Sequence, residues 1–193
     1  MSGVVLDAGG SRTDLEIRLE RGARLTVRVT GSNGRPASGA SVRWHRPGGY
    51  GDTVKADAAG VAQLIGVPVG EVSVHAWTEL EIQREPDRAT ATREVVSDVA
   101  AQLVSGGQIL LRFVRKDGTP VIEPWAVQHG VNDSHGQNVH CEWGAPRDGG
   151  ALPKGPFLPG WYEVWARIGT SDVKGLAQVT AGIELEVVLR EPD

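Results

Sequence analysis

Three histidines and the chain's only cysteine fall within thirteen positions in the stretch HGVNDSHGQNVHC, at His129, His135, His140 and Cys141. Imidazole nitrogen and thiolate sulfur are donors that zinc prefers, and a hairpin here would bring His129 near His140 and leave His135 at the tip. The spacing fits no standard zinc pattern. His140 and Cys141 are adjacent on a predicted strand, so they face opposite sides and spoil a four-ligand cage. His45 occupies the place of His129 when the chain is slid along itself (129 − 45 = 84), and no cluster surrounds it. On this reading His129 is scaffold, Cys141 is a small inward-facing residue, and neither a metal nor a cofactor is expected.

Covalent and hydrolytic chemistry finds no better footing. The chain contains no Gly-x-Ser-x-Gly elbow and no His-Glu-x-x-His helix motif. Asp133-Ser134-His135 holds the residue types of a catalytic relay, but a relay needs its members on separate elements, and sequence neighbours do not reach that geometry. No enzyme is expected.

The tryptophans are the other candidates, six of them against two tyrosines and two phenylalanines. In GWYEVWARIG, Tyr162, Val164 and Ala166 form the inward set, which turns Trp161, Glu163, Trp165 and Arg167 to the other face. Two residues four apart on a strand are separated by about 13 Å. Trp161 and Trp165 are therefore the expected ligand-binding residues, a platform for sugar rings or a protein partner, unless a neighbouring module covers them.

These residues must be positioned by strands. Twenty-six glycines and eleven prolines cut the 193 residues into short pieces, and between them apolar and polar residues alternate. The best helical window, TELEIQREPDRATATREVV, is interrupted by Pro86. Twenty Lys and Arg against 24 Asp and Glu leave a net charge of −4, so there is no basic field to hold a nucleic acid. No stretch approaches the roughly 18 apolar residues of a membrane span. A lone cysteine makes no internal disulfide and leaves the compartment open.

An internal repeat organises the pieces. ARLTVRVTGSNGRP (23–36) aligns with QILLRFVRKDGTP (108–120) at an offset of 117 − 33 = 84, and GVPVGEVSVHA (66–76) aligns with PFLPGWYEVWA (156–166) at 160 − 70 = 90. Six residues therefore enter the second copy, between Pro120 and Gly150. Alternation agrees between the copies, with Leu25, Val27 and Val29 matched by Ile109, Leu111 and Phe113. DLEIRLERGARL (14–25), VAAQLVSGGQIL (99–110) and GIELEVVLREPD (182–193) share a further strand pattern, so residues 1–20 are expected to be the terminal strands of a preceding module, or else to pair onto the first module as an extra edge.

LTVRVTGSNGRPASGASVRW followed by TVKADAAGVAQLIGVPVGEVSVHAW resembles the carboxypeptidase regulatory-like domains. The matched features are an opening strand, a Gly/Pro turn, Gly39-Ala40-x-Val42, Thr53-x-x-x-Asp57-x-x-Gly60, and Pro68-x-Gly70 before a closing strand. The second copy matches at its two ends and has IEPWAV in place of the Gly-Ala-x-Val step. The resemblance implies an all-β fold of two tandem prealbumin-like (Ig-like) antiparallel β-sandwiches, 21–104 and a divergent 105–193. Independently, short strands with no helix to cover them must bury one face against a second sheet.

The family implies accessory, adhesive or spacer modules of surface and secreted proteins. The expected function is thus structural, within an extracellular or cell-envelope protein, with neighbouring domains of a longer chain as partners. A carbohydrate-binding module using Trp161 and Trp165 is the alternative. Some sandwiches of this shape carry a Lys to Asn or Asp amide; Lys116 and Glu163 are the candidates here, and IELEVVL supplies no Asn or Asp to close it.

Overall fold

The computed structural model describes residues 21–93, 96–123, 126–146 and 148–192, and the expectation for residues 1–20 lies outside them. The first half contains β1 (Ala23–Thr30), β2 (Ser41–Arg46), β3 (Gly49–Tyr50), β4 (Val54–Lys55), β5 (Val61–Val67), β6 (Gly70–Trp77), β7 (Glu81–Gln83), β8 (Asp87–Ala91) and β9 (Ser97–Ser105). The second contains β10 (Gly107–Val114), β11 (Val127–Asn132), β12 (Asn138–Trp143), β13 (Leu152–Phe157), β14 (Gly160–Ile168), β15 (Ser171–Val179) and β16 (Glu184–Arg190). Among the described residues no helix is long and apolar enough to cross a membrane.

The strands form because period-two alternation meets a partner sheet. In β1, Leu25, Val27 and Val29 are buried while Arg24 and Arg28 are exposed; in β10, Ile109, Leu111 and Phe113 are buried. Each opening strand ends in the same turn. Gly34 and Gly118 take φ of 76° and 87°, and the carboxamide of Asn33 and carboxylate of Asp117 each accept a backbone N–H two residues on, both at 2.9 Å.

The two halves pair their strands in the same order. β1 lies between antiparallel β5 and parallel β9, and β10 lies between antiparallel β13 and parallel β16. Facing them, β2 pairs with β3, β4 and β6, and β11 pairs with β12 and β14. The fold is all-β, two tandem sandwiches, with one parallel pair in each that the alternation pattern alone does not reveal. In the first half β7 also bridges β6 to β9, at Trp77↔Ile82 and Ile82↔Val104, so its two sheets share an edge.

Each half buries its own core. One cluster runs from Ala23 to Leu103 and the other from Ile109 to Leu189.

The register corrects one alignment. Val42 pairs with Ala76 and His129 with Ala166, so His129 stands in the place of Val42 (129 − 42 = 87) and not of His45. His45, opposite Ser73, corresponds instead to Asn132, opposite Glu163. The extra residues of the second half are split: three precede β11 (87 − 84 = 3) and the rest lie beyond it, where Asp133–Gln137 caps the β11–β12 hairpin. An odd shift moves a strand residue to the opposite face.

Candidate functional site

His129 sits on the central strand β11 and is fully buried, with its ring 5.2 Å from Phe113 and 6.2 Å from His140, centroid to centroid. Among the described residues, neither of its ring nitrogens has a partner of hydrogen-bonding geometry. Around it stand His140 and Glu142 from edge strand β12 and Lys154 from β13 of the facing sheet. Lys154 is only 6% exposed and its ammonium donates to Oε2 of Glu142. His140 Nε2 lies 3.4 Å from the same oxygen.

The electrostatics follow from burial. His129 is pushed down to about 4, first by loss of hydration, then by the Lys154 charge and His140; Glu142 and the backbone at Gly144 oppose this only in part. His140 is lowered by burial and then by Lys154. Glu142 is held below the usual carboxylate range, chiefly by the hydrogen bond from Lys154. At neutral pH the cluster therefore presents two uncharged imidazoles, one carboxylate and one ammonium. Ligand atoms of His129, His140 and Glu142 all lie within 4.8 Å of one another.

The hairpin brings His129 to His140 as its spacing predicts, and His135 is on the exposed tip. Cys141 departs from expectation: it is exposed, not inward-facing. It pairs with Gly130 on the outer side of β11, away from the facing sheet. Glu142 was missed in the sequence, although the alternation that expels Cys141 puts His140 and Glu142 on one face. Lys154 was missed because it comes from a different sheet. The Asp133 carboxylate is engaged in the turn, where it accepts the N–H groups of His135 and Gln137, each at 2.9 Å. It is thereby occupied in shaping the loop that carries Ser134 and His135.

The tryptophan face is the second candidate. Trp161 is 54% exposed. Trp165 is half-buried: its indole Nε1 donates to Asn132 Oδ1 at 3.3 Å, and its ring fills the space over Gly130, where an added Cβ would come within 2.6 Å. Trp143 and Leu176, both exposed, lie on the same outer side, opposite Gln128 and Glu163 respectively. Glu163 accepts from Lys174 Nζ and Asn132 Nδ2, each at 3.0 Å.

A cleft of about 980 Å³ lies where β6 and β7 meet β12 and β13, lined among others by Arg43, His45, Tyr50, His75, Trp77 and Arg84. Arg43 stacks over Tyr50 and Trp77 at 5.1 and 5.6 Å from their centroids, which fixes the guanidinium.

No protein-family pattern matches the chain, and no curated protein sequence does. Solved structures do align with it. The Bacillus anthracis TIE protein is 14% identical with a TM-score of 0.36, covering 89% of this chain and 34% of that one. GBS52, the minor pilin of Streptococcus agalactiae, is 11% identical with a TM-score of 0.35 over 89% of this chain and 97% of its own. The shaft pilin SpaA of Lactobacillus rhamnosus GG is 8% identical with a TM-score of 0.35, over 89% and 98% respectively. The chain thus spans about a third of the TIE protein and nearly the whole of each pilin structure. At this identity and overlap no role is transferred from them.

Proposed function

We propose that the chain is a non-catalytic structural or adhesive spacer of a larger surface or secreted protein, built from tandem carboxypeptidase regulatory-like sandwiches at 21–104 and 105–193. Its partners are the neighbouring domains of that longer chain, outside the cell or in its envelope. The repeat reading is supported by the shared strand order of the two halves and by the duplicated opening turn.

The observation that carries the spacer reading is the junction. β9 passes into β10 through Gly106 alone. Its N–H donates to Leu80 O at 2.7 Å, its carbonyl accepts from Gly182 at 2.6 Å, and Gln108 Nε2 donates to Glu79 O at 3.0 Å. A Cβ on Gly106 would stand 2.7 Å from Phe157 O, so backbone meets backbone there. A joint tied to both halves sets a fixed distance between its ends, which is what a spacer supplies.

In aligned solution NMR, amide couplings from both halves are expected to fit one alignment tensor, and a Gly-Ser insertion after Ser105 to split it into two. Two tensors in the native chain would remove the spacer reading.

The exposed Trp161, sharing its face with Trp143 and Leu176, favours a second reading in which this surface and Trp165 contact a glycan or protein ligand. Titration with a polysaccharide panel then quenches tryptophan emission, and Trp161→Ala abolishes the effect. Absence of quenching by any glycan rejects the carbohydrate version.

A further inference from the structure

The polar cluster of the second half occupies positions that the first half fills with hydrocarbon. Val42 pairs with Val54, and His129 with Glu142. Leu25 pairs with Leu64, and Ile109 with Lys154. His129, Glu142 and Lys154 therefore replace Val42, Val54 and Leu64, all of which pack in the first core. The sandwich closes without a single one of these polar groups, as the first half demonstrates. Burying a polar group with no hydrogen bond costs about 1–3 kcal/mol. His129 carries that cost with both nitrogens unpartnered among the described residues, so stability does not account for the exchange.

We propose that His129, His140 and Glu142 bind a divalent transition-metal ion of the zinc class, with the Lys154 ammonium holding the carboxylate until the ion displaces it. Two imidazoles and one carboxylate suit zinc, copper or nickel, whereas magnesium and calcium call for oxygen ligands. Three protein donors leave a fourth position for water or an external ligand. His129 is fully buried on β11 between Val127 and Val131 of the core, and among the described residues neither ring nitrogen has a partner of hydrogen-bonding geometry. His140 and Glu142 lie on the edge strand β12, partly exposed, so the ion has an entry path and the strand can adjust as it binds.

Lys154 opposes the ion in two ways. It competes for Glu142 Oε2, and its charge repels the cation at short range. The lysine therefore sets how much free metal the site needs before it fills. This inference does not rest on the spacer reading and stands or falls separately.

The test uses the full chain after chelator treatment, titrated with Zn2+ by calorimetry and followed by thermal melting, with Co2+ absorption reporting coordination. One ion per chain is expected, with a raised melting temperature and the visible bands of a four-coordinate Co2+ site. His140→Ala and Glu142→Gln, both at the accessible edge, are expected to weaken binding by about tenfold or more and to retain the β circular-dichroism spectrum. Lys154→Met is expected to tighten it by about tenfold, because a neighbouring charge is removed. No heat and no melting shift with Zn2+, Cu2+ or Ni2+ overturns the proposal. Undiminished binding in both edge variants overturns it too, since the ion then sits elsewhere. Weaker binding in Lys154→Met refutes the competitor role assigned to the lysine.

Discussion

Acidification of the chelator-treated protein from pH 7 to pH 4 is expected to remove about 3 kcal/mol of stability from the second half, and His129→Val to abolish most of that loss. An unfolded histidine titrates at 6.5 and the buried one near 4. Between those values the unfolded chain carries a proton that the native chain refuses, so stability rises with pH across the window and falls as pH drops from 6.5 toward 4. The gap between those pKa values, at about 1.4 kcal/mol per unit, sets the size of the effect. His140, also lowered, acts in the same direction. Glu142 is depressed instead, so its contribution disappears only at lower pH, below its unfolded value of 4.5. Lys154, beside the ring, adds to the penalty for protonating it. Valine restores the residue type found at position 42, so the variant is expected to be more stable than the native protein at pH 7 by about 1–3 kcal/mol. Urea midpoints at a series of pH values provide the measurement. An unchanged slope between pH 6.5 and 4 in His129→Val would trace the acid sensitivity to other groups.

Phe113→Ala is expected to destabilise the second half by about 3–5 kcal/mol and leave the first half folded, with Leu25→Ala doing the reverse at about 2–5 kcal/mol. Phe113 is among the largest fully buried side chains and also walls one side of His129. Removing its ring leaves a cavity that a β-sandwich closes only in part, because the strands on both sides are held by their ladders. Leu25 is the corresponding strand's anchor in the first core. Because the two clusters share no residue, each deletion acts on a separate core. Backbone amide spectra through a denaturant series resolve the halves. Loss of both sets of resonances at one midpoint in Phe113→Ala would show that the halves unfold as one unit.

Much of this fold is legible in the chain's local patterns. Alternation in LTVRV and ILLRF, and the turn dipeptides Asn33-Gly34 and Asp117-Gly118, are local signals, since side-chain period and positive φ depend on neighbours in the chain. They establish strands, turns and the two-faced character of the Trp161 strand. The approach of His129 to His140 is equally local, a consequence of one hairpin.

Tertiary structure alone decided which histidine is buried and what surrounds it. Slid by 84 residues, His129 falls on exposed His45; paired by hydrogen bonds, it falls on buried Val42, because the odd number of inserted residues reverses the face. Cys141 turned outward by alternation along β12, leaving His140 and Glu142 on the face they share with His129. Lys154 joined them from another sheet, with no spacing in the chain to announce it. Local patterns record what each strand prefers, but the face a residue shows and the company it keeps are set by pairing and by sheet-on-sheet contact, interactions between segments far apart along the chain.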